Sequence, residues 1–232
     1  MARKTTTTTT TTTTTVVTKE TINNKPTQIV MVLDRSGSMD TIAKSTVEGI
    51  NSFVKEQKAA EGEAFMTLVQ FDNEYQIDYK ERPLNEVADL INGETFVPRA
   101  TTALYDAIGR TINEINTTDD VIFVIVTDGA ENASKEFTKE NVFNKIEEKK
   151  KDGWNFLFLA ANQDAMKTGG SLGISASNSM TFNANDASVG NMYMNFSSKI
   201  SDYRSTKLYS VNSSAVADSL SFSDEDRKSV DK

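Results

Sequence analysis

The chain has 232 residues, 38% of them hydrophobic, which is enough for one substantial domain and cramped for two. Its 33 acidic residues outnumber 25 basic ones for a formal net charge of −8, with no basic stripe interleaved with aromatics, so nucleic acid is excluded as an expected partner. Cys and His do not occur, which removes disulfides, thiolate zinc sites, His-activated nucleophiles and imidazole ligands, and leaves oxygen donors, Lys and Arg to carry any chemistry.

The N-terminus, Met1-Ala2-Arg3-Lys4, has a positive start but not the apolar core of a secretory signal. No stretch is long enough in apolar residues to cross a bilayer, so a soluble protein, cytoplasmic or virion-associated, is expected. Thr5 to Thr15 is an unbroken Thr run. A homopolymer has no alternation to bury, and residues 1–25 are predicted to form a disordered Thr-rich tail.

Four short apolar runs follow, Gln28 to Asp34, Phe65 to Phe71, Val121 to Asp128 and Asn155 to Ala160, each suited to a strand buried on both faces. Between them lie segments with helical spacing. Ile42, Val47, Ile50 and Phe53-Val54 form one stripe, Leu104, Ile108, Ile112 and Ile115 a second, and Val142-Phe143 with Ile146 a third, closed by Gly153. A last helix carries Val189, Met192-Tyr193, Phe196, Ile200 and Tyr203. Only Asp72-Asn73-Glu74 separates Phe71 from the next run, Tyr75 to Lys80, which predicts a hairpin and one antiparallel edge strand. From Ser205 the apolar residues lose their period, and residues 205–232 are predicted to be a flexible tail.

Alternating strands and helices give an α/β fold: a doubly wound, mostly parallel sheet with helices on both faces, occupying residues 26–204. In such a sheet ligands bind beyond the strand C-termini, where the winding reverses. The two most continuous strands end there in Asp34 and, through Thr127, in Asp128. Two close carboxylates repel unless a cation neutralises them. Ser36 and Ser38 add hydroxyls at alternate positions, with Gly37 between them to allow the turn. Taken singly, Ser36, Ser38 or Thr102 as helix caps and Asp128 in an Asx turn with Gly129 are the better readings, and only their joint placement favours a metal site.

Asp34-x-Ser36-x-Ser38, Thr102 within Ala100-Thr101-Thr102-Ala103-Leu104, and Thr127-Asp128-Gly129 together resemble the metal-ion-dependent adhesion site of von Willebrand factor A domains, over about the whole predicted domain. The chain resembles the standalone bacterial and bacteriophage members of that family. The resemblance implies a Rossmann-like fold and a noncatalytic protein-binding module. In it Ser36, Ser38 and Thr102 supply hydroxyl ligands, Asp34 and Asp128 act directly or through water, and a Glu or Asp carboxylate of a protein partner completes the coordination. Mg²⁺ suits these hard oxygen donors best, with Mn²⁺ or Ca²⁺ as alternatives. Thr101 stands where many relatives have Gly.

Asp106 is placed behind the Thr102 loop as its support, Glu131 and Asn132 at the rim where a partner would touch, and Asp72 with Asn73 in the hairpin turn. The competing function is an Mg²⁺-dependent phosphotransferase or phosphatase with Asp34 as nucleophile. Ser36 stands where aspartyl-phosphate enzymes usually carry a second acid. Gly169-Gly170-Ser171-Leu172-Gly173 is not a phosphate loop, because it follows a helix and lacks the Gly-Lys-Ser/Thr ending.

Overall fold

The computed structural model describes residues 25–117 and 119–231. The residues of the Thr-rich segment up to position 24 lie outside this range. Six strands form one sheet: β1 (Thr27–Asp34), β2 (Ala64–Phe71), β3 (Tyr75–Pro83), β4 (Asp120–Thr127), β5 (Asn155–Ala161) and β6 (Ser179–Phe182), in the order β3-β2-β1-β4-β5-β6. All neighbours are parallel except β2 and β3, which the three-residue turn folds into the expected hairpin.

β1 shows how the sequence makes two cores. Ile29, Met31 and Leu33 point to one face and Val30 and Val32 to the other, all fully buried. The first face is covered by α1 (Ala43–Ala59) and α5 (Asp186–Tyr209), the second by α2 (Leu104–Glu114), α3 (Lys139–Lys151) and α4 (Ala165–Ser171). A 3₁₀ turn, Gly37–Ile42, leads from β1 into α1. Helices α1 and α5 approach closely at Gly49, where a Cβ would lie 2.2 Å from the Tyr193 ring. The buried Arg204 guanidinium of α5 then donates to the carbonyls of Gln57 (2.7 Å) and Gly62 (2.7 Å), satisfying acceptors at the end of α1.

Two features depart from the sequence expectations. β6 did not register as a strand because it is only four residues long and alternates Ser and Thr with Met180 and Phe182. The flexible tail from 205 onward is corrected: α5 runs on to Tyr209, and α6 (Ser213–Asp218) and α7 (Asp224–Ser229) follow. Val216, Leu220, Phe222 and Val230 are buried in the core under α5, spaced by turns rather than by a helical period. Phe222 N–H donates to Ser177 O (2.9 Å) and Asn183 N–H to Val230 O (3.3 Å), so this segment covers the β6 edge. Leu220→Ala is therefore expected to cost about 2–3 kcal/mol in urea unfolding, whereas a free tail would give no change.

Candidate metal centre

The register sets the site. β1 lies between β2 and β4, with Leu33 opposite Val126, so Asp34 emerges beside Thr127 and Asp128 follows one step beyond the sheet. The winding reverses between these two strands, and the loops after them part to either side.

Asp34 is fully buried, and both carboxylate oxygens are held: Ser36 N–H donates to Oδ1 (2.6 Å) and Thr127 Oγ1 to Oδ2 (2.6 Å). Ser36 and Ser38 Oγ lie 3.2 Å apart, and Ser38 Oγ donates to Asp128 Oδ1 (2.6 Å). Thr102 joins them from across the sheet edge. A Cβ placed on Gly129 would stand 2.9 Å from Thr102 Oγ1, 3.5 Å from Ser38 Oγ and 3.6 Å from Ser36 Oγ. Three hydroxyls therefore converge on the space above Gly129, a cradle that any side chain there would fill. Thr101, by contrast, is exposed.

Burial pushes the Asp34 carboxyl up to about 6, against the donated bonds from Thr127 and Ser36, and nearby Asp128 raises it further. Asp128 is likewise raised, chiefly by burial, with the Ser38 hydroxyl opposing. Two carboxylates strained toward protonation beside three hydroxyl oxygens form a donor set that fits a small hard cation. Among the described residues no cluster of three or more Asp, Glu, His or Cys forms a metal-binding group; most donors here are hydroxyls.

The Thr102 loop is anchored in ways the sequence did not disclose. Thr102 N–H donates to Asn132 Oδ1 (2.9 Å), while Asn132 and Ala133 N–H donate to Thr102 O (3.0 and 3.1 Å). The Glu131 carboxylate accepts from Tyr105 N (3.0 Å), Ala133 N (2.9 Å), Ser134 N (2.7 Å) and Ser134 Oγ (2.7 Å). It thus caps the N-terminus of α2, whose own preceding residue, Ala103, has no capping side chain. Glu131 and Asn132, expected at a rim where a partner would touch, tie the Thr102 loop to the loop after Asp128. Asn132→Ala is expected to weaken Mg²⁺ binding about tenfold by calorimetry, because it frees Thr102 without touching a ligand.

Asp106 returns the favour from α2. Its carboxylate accepts from Lys135 N (2.8 Å), Glu136 N (2.9 Å) and Phe137 N (2.8 Å). Burial opposes the charge, but these three donors, with Arg110 nearby, hold its pKa below the usual carboxylate range. Its support thus reaches the loop after Asp128 directly and Thr102 through that loop.

On the other flank, the buried Asp72 does more than shape the hairpin. Its Oδ1 accepts from Glu74 N (2.6 Å), and its Oδ2 pairs with Arg35 Nε (3.2 Å) and Arg99 Nε (2.8 Å). Arg99 N–H donates to Arg35 O (2.8 Å) and Gly37 N–H to Ala100 O (3.2 Å), which joins the serine loop to the segment leading into Thr102. Thr127 and Asp72 are thus positioning residues that sequence reading passed over. Thr127 had a signal, its place before Asp128; Asp72 had none beyond its turn.

A family model for the von Willebrand factor type A domain matches residues 28–195. No curated protein matches the chain. Among solved structures, the pilus adhesin SpaC from Lactobacillus rhamnosus GG superimposes with a TM-score of 0.63 at 14% identity, covering 80% of this chain and 32% of that one. The vWF domain of the type V pili tip protein Mfa5 from Porphyromonas gingivalis gives 0.56 at 14% identity, covering 77% and 96%. Proximal thread matrix protein 1 from the mussel byssus, solved with a zinc-occupied MIDAS motif, gives 0.53 at 14% identity, covering 74% and 47%. The chain thus spans less than half the length of the byssus protein, and identities this low establish the shared fold alone. Since the family match takes in well over half of the sequence, on the fold those structures share, the chain belongs to the von Willebrand factor type A domain family.

Proposed function

We propose that this domain is a noncatalytic, divalent-metal-dependent binding module that captures an acidic residue of a protein partner. Ser36, Ser38 and Thr102 would hold Mg²⁺ through their hydroxyls, and Asp34 and Asp128 would balance its charge directly or through water. The observation that carries this reading is the convergence of three hydroxyls on the space left by Gly129, beside two carboxylates whose pKa values burial raises. A bound ion held mainly by neutral oxygens supplies an electrophilic coordination position that a partner's carboxylate can occupy.

The chain's own residues prepare that position. Thr127 and Ser36 N–H fix the Asp34 carboxylate, Asn132 fixes Thr102, and the Arg35–Asp72–Arg99 cluster fixes the serine loop against the Thr102 segment. Ser36 stands two residues after Asp34, where an aspartyl-phosphate enzyme would carry a second acid, which speaks against Asp34 as a nucleophile. Among the described residues, no Lys forms a hydrogen bond or ion pair with Asp34 or Asp128 where a phosphoryl group would need a cation.

Calorimetric titration of the full chain with MgCl₂, followed by a blocked glutamate, tests the reading. Mg²⁺ is expected to bind with one site per chain, and the glutamate only after Mg²⁺. Absence of Mg²⁺ binding, or glutamate binding unaffected by EDTA, would sink it.

A further inference from the structure

We infer that a cleft at the end of the sheet away from the metal loops is a docking surface for this chain's own N-terminal segment, with Ile22 as the anchor. The cleft has a volume of about 620 Å³ and lies where β4 and β5 begin, at Asp120 and Asn155, beside the last turns of α5. Strand β4 runs from there to Thr127, which puts the cleft about 23 Å from the metal loops at roughly 3.3 Å per residue. The metal reading does not enter into it.

The charged groups in its walls are neutralised by their neighbours. The buried Lys207 pairs with Asp120 (2.8 Å), and Lys150 Nζ bonds to Glu147 Oε1 (2.6 Å) and Gly173 O (3.0 Å). Tyr203 Oη accepts from Asn155 Nδ2 (3.2 Å). What the cleft still offers is apolar. Trp154, Tyr203 and Val216 are buried in its floor, and Val211 and Ala217 stand exposed at its rim. The Trp154 ring already stacks on Phe123 and carries Lys149 Nζ at 5.3 Å, so the open contact is at the rim. Val211, in the turn between α5 and α6, is 83% exposed, more than any other large hydrophobic side chain among the described residues. A wall without spare charge and with an open apolar rim suits an apolar segment rather than an ion.

The start of β1 names that segment. Lys207 Nζ also donates to Pro26 O (3.2 Å) and Thr27 Oγ1 (3.0 Å), and Thr27 lies opposite Asp120 in the sheet. Lys207 and Asp120 both line the cleft, so the chain before Pro26 leaves the fold against its wall. From Val16 to Lys25 the apolar residues are Val16, Val17 and Ile22. Ile22, four residues before Pro26, can lie up to about 13 Å from it, which keeps it within reach of the cleft. Val16 and Val17 need a longer closing loop and more ordered backbone. Seating Ile22 against Val211 removes two apolar side chains from water in one contact. It also holds the base of the Thr run at the end of the domain opposite the metal loops.

The chain has no Cys, so an engineered pair reports proximity without competition. In the full chain, Ile22→Cys with Val211→Cys is expected to form a disulfide about tenfold faster than Ile22→Cys with Ser205→Cys. Ser205 is exposed and two residues from both Tyr203 and Lys207, hence on the opposite face of α5. Alkylation of Ile22→Cys alone should run about fivefold slower than that of Thr10→Cys. Equal cross-linking of the two pairs, or equal alkylation at positions 22 and 10, overturns the inference. A disulfide that links two chains, seen as a dimer on a non-reducing gel, overturns it as well and assigns the cleft to a second copy. All of these measurements are made in EDTA, so neither result bears on Mg²⁺ binding.

Discussion

Asp34→Asn is expected to lower Mg²⁺ affinity about 100-fold or more while leaving the metal-free fold intact or more stable. The side chain is fully buried, and burial raises its carboxyl to about 6. An amide in its place keeps an acceptor for Ser36 N–H, and Thr127 can turn its proton to Gly129 O, 3.1 Å away. The variant thus loses a buried charge without orphaning a donor, worth roughly 1–3 kcal/mol in the metal-free state near neutral pH.

The sign follows from linkage. The folded carboxyl titrates above its model value of 3.8, so the folded state binds the proton more tightly than the unfolded chain. Metal-free wild type should therefore lose stability as pH rises from about 4 to about 6, and the variant should not. Thermal melts in EDTA and in MgCl₂ read both effects: the ranking of the two proteins should invert when Mg²⁺ is added. A variant that melts lower in both conditions would show that Asp34 serves the fold alone. Gly129→Ala offers a control that changes no ligand, since its methyl would enter the space shared by Thr102, Ser38 and Ser36 and should also depress Mg²⁺ binding, about tenfold or more.

Asp72→Ala should cost about 3–5 kcal/mol in denaturant unfolding, the largest stability loss expected at any polar position here. The carboxylate is fully buried and Arg35, its side chain 7% exposed, stays behind with one neutral partner, Gln76. Arg99 is about half exposed and adds little. The same change frees the serine loop from the segment carrying Thr102, so Mg²⁺ affinity should fall with stability. Asp72→Asn, which retains the Glu74 N–H bond, should lose less of both. Equal stability of the alanine variant and wild type would mean that the cluster is dispensable.

Much of the site was legible in the sequence because its donors cluster at strand ends. Asp34, Ser36, Ser38 and Asp128 lie in two short loops after continuous apolar runs, and Thr102 opens a helix with a clear apolar stripe. Such local patterns survive in a one-dimensional reading. What holds those donors in place does not, because it is made of pairs far apart in sequence: Asp34 with Thr127, Thr102 with Asn132, Glu131 with Tyr105, and Asp72 with Arg35 and Arg99. Glu131 shows the difference well. An acid in a polar loop beside the site reads as a partner contact, yet its carboxylate caps a helix that sequence alone leaves uncapped.

The sequence by itself determined the parallel sheet with its one antiparallel edge, the strand ends that carry oxygen donors, and the confinement of chemistry to hydroxyls and carboxylates by the lack of Cys and His. Tertiary structure alone decided that residues after 205 pack beneath α5 and that three hydroxyls meet above Gly129. The physical reason is range. Strand and helix periods are set by neighbours a few residues apart, whereas burial, charge compensation and convergence depend on which distant segments the sheet order brings together.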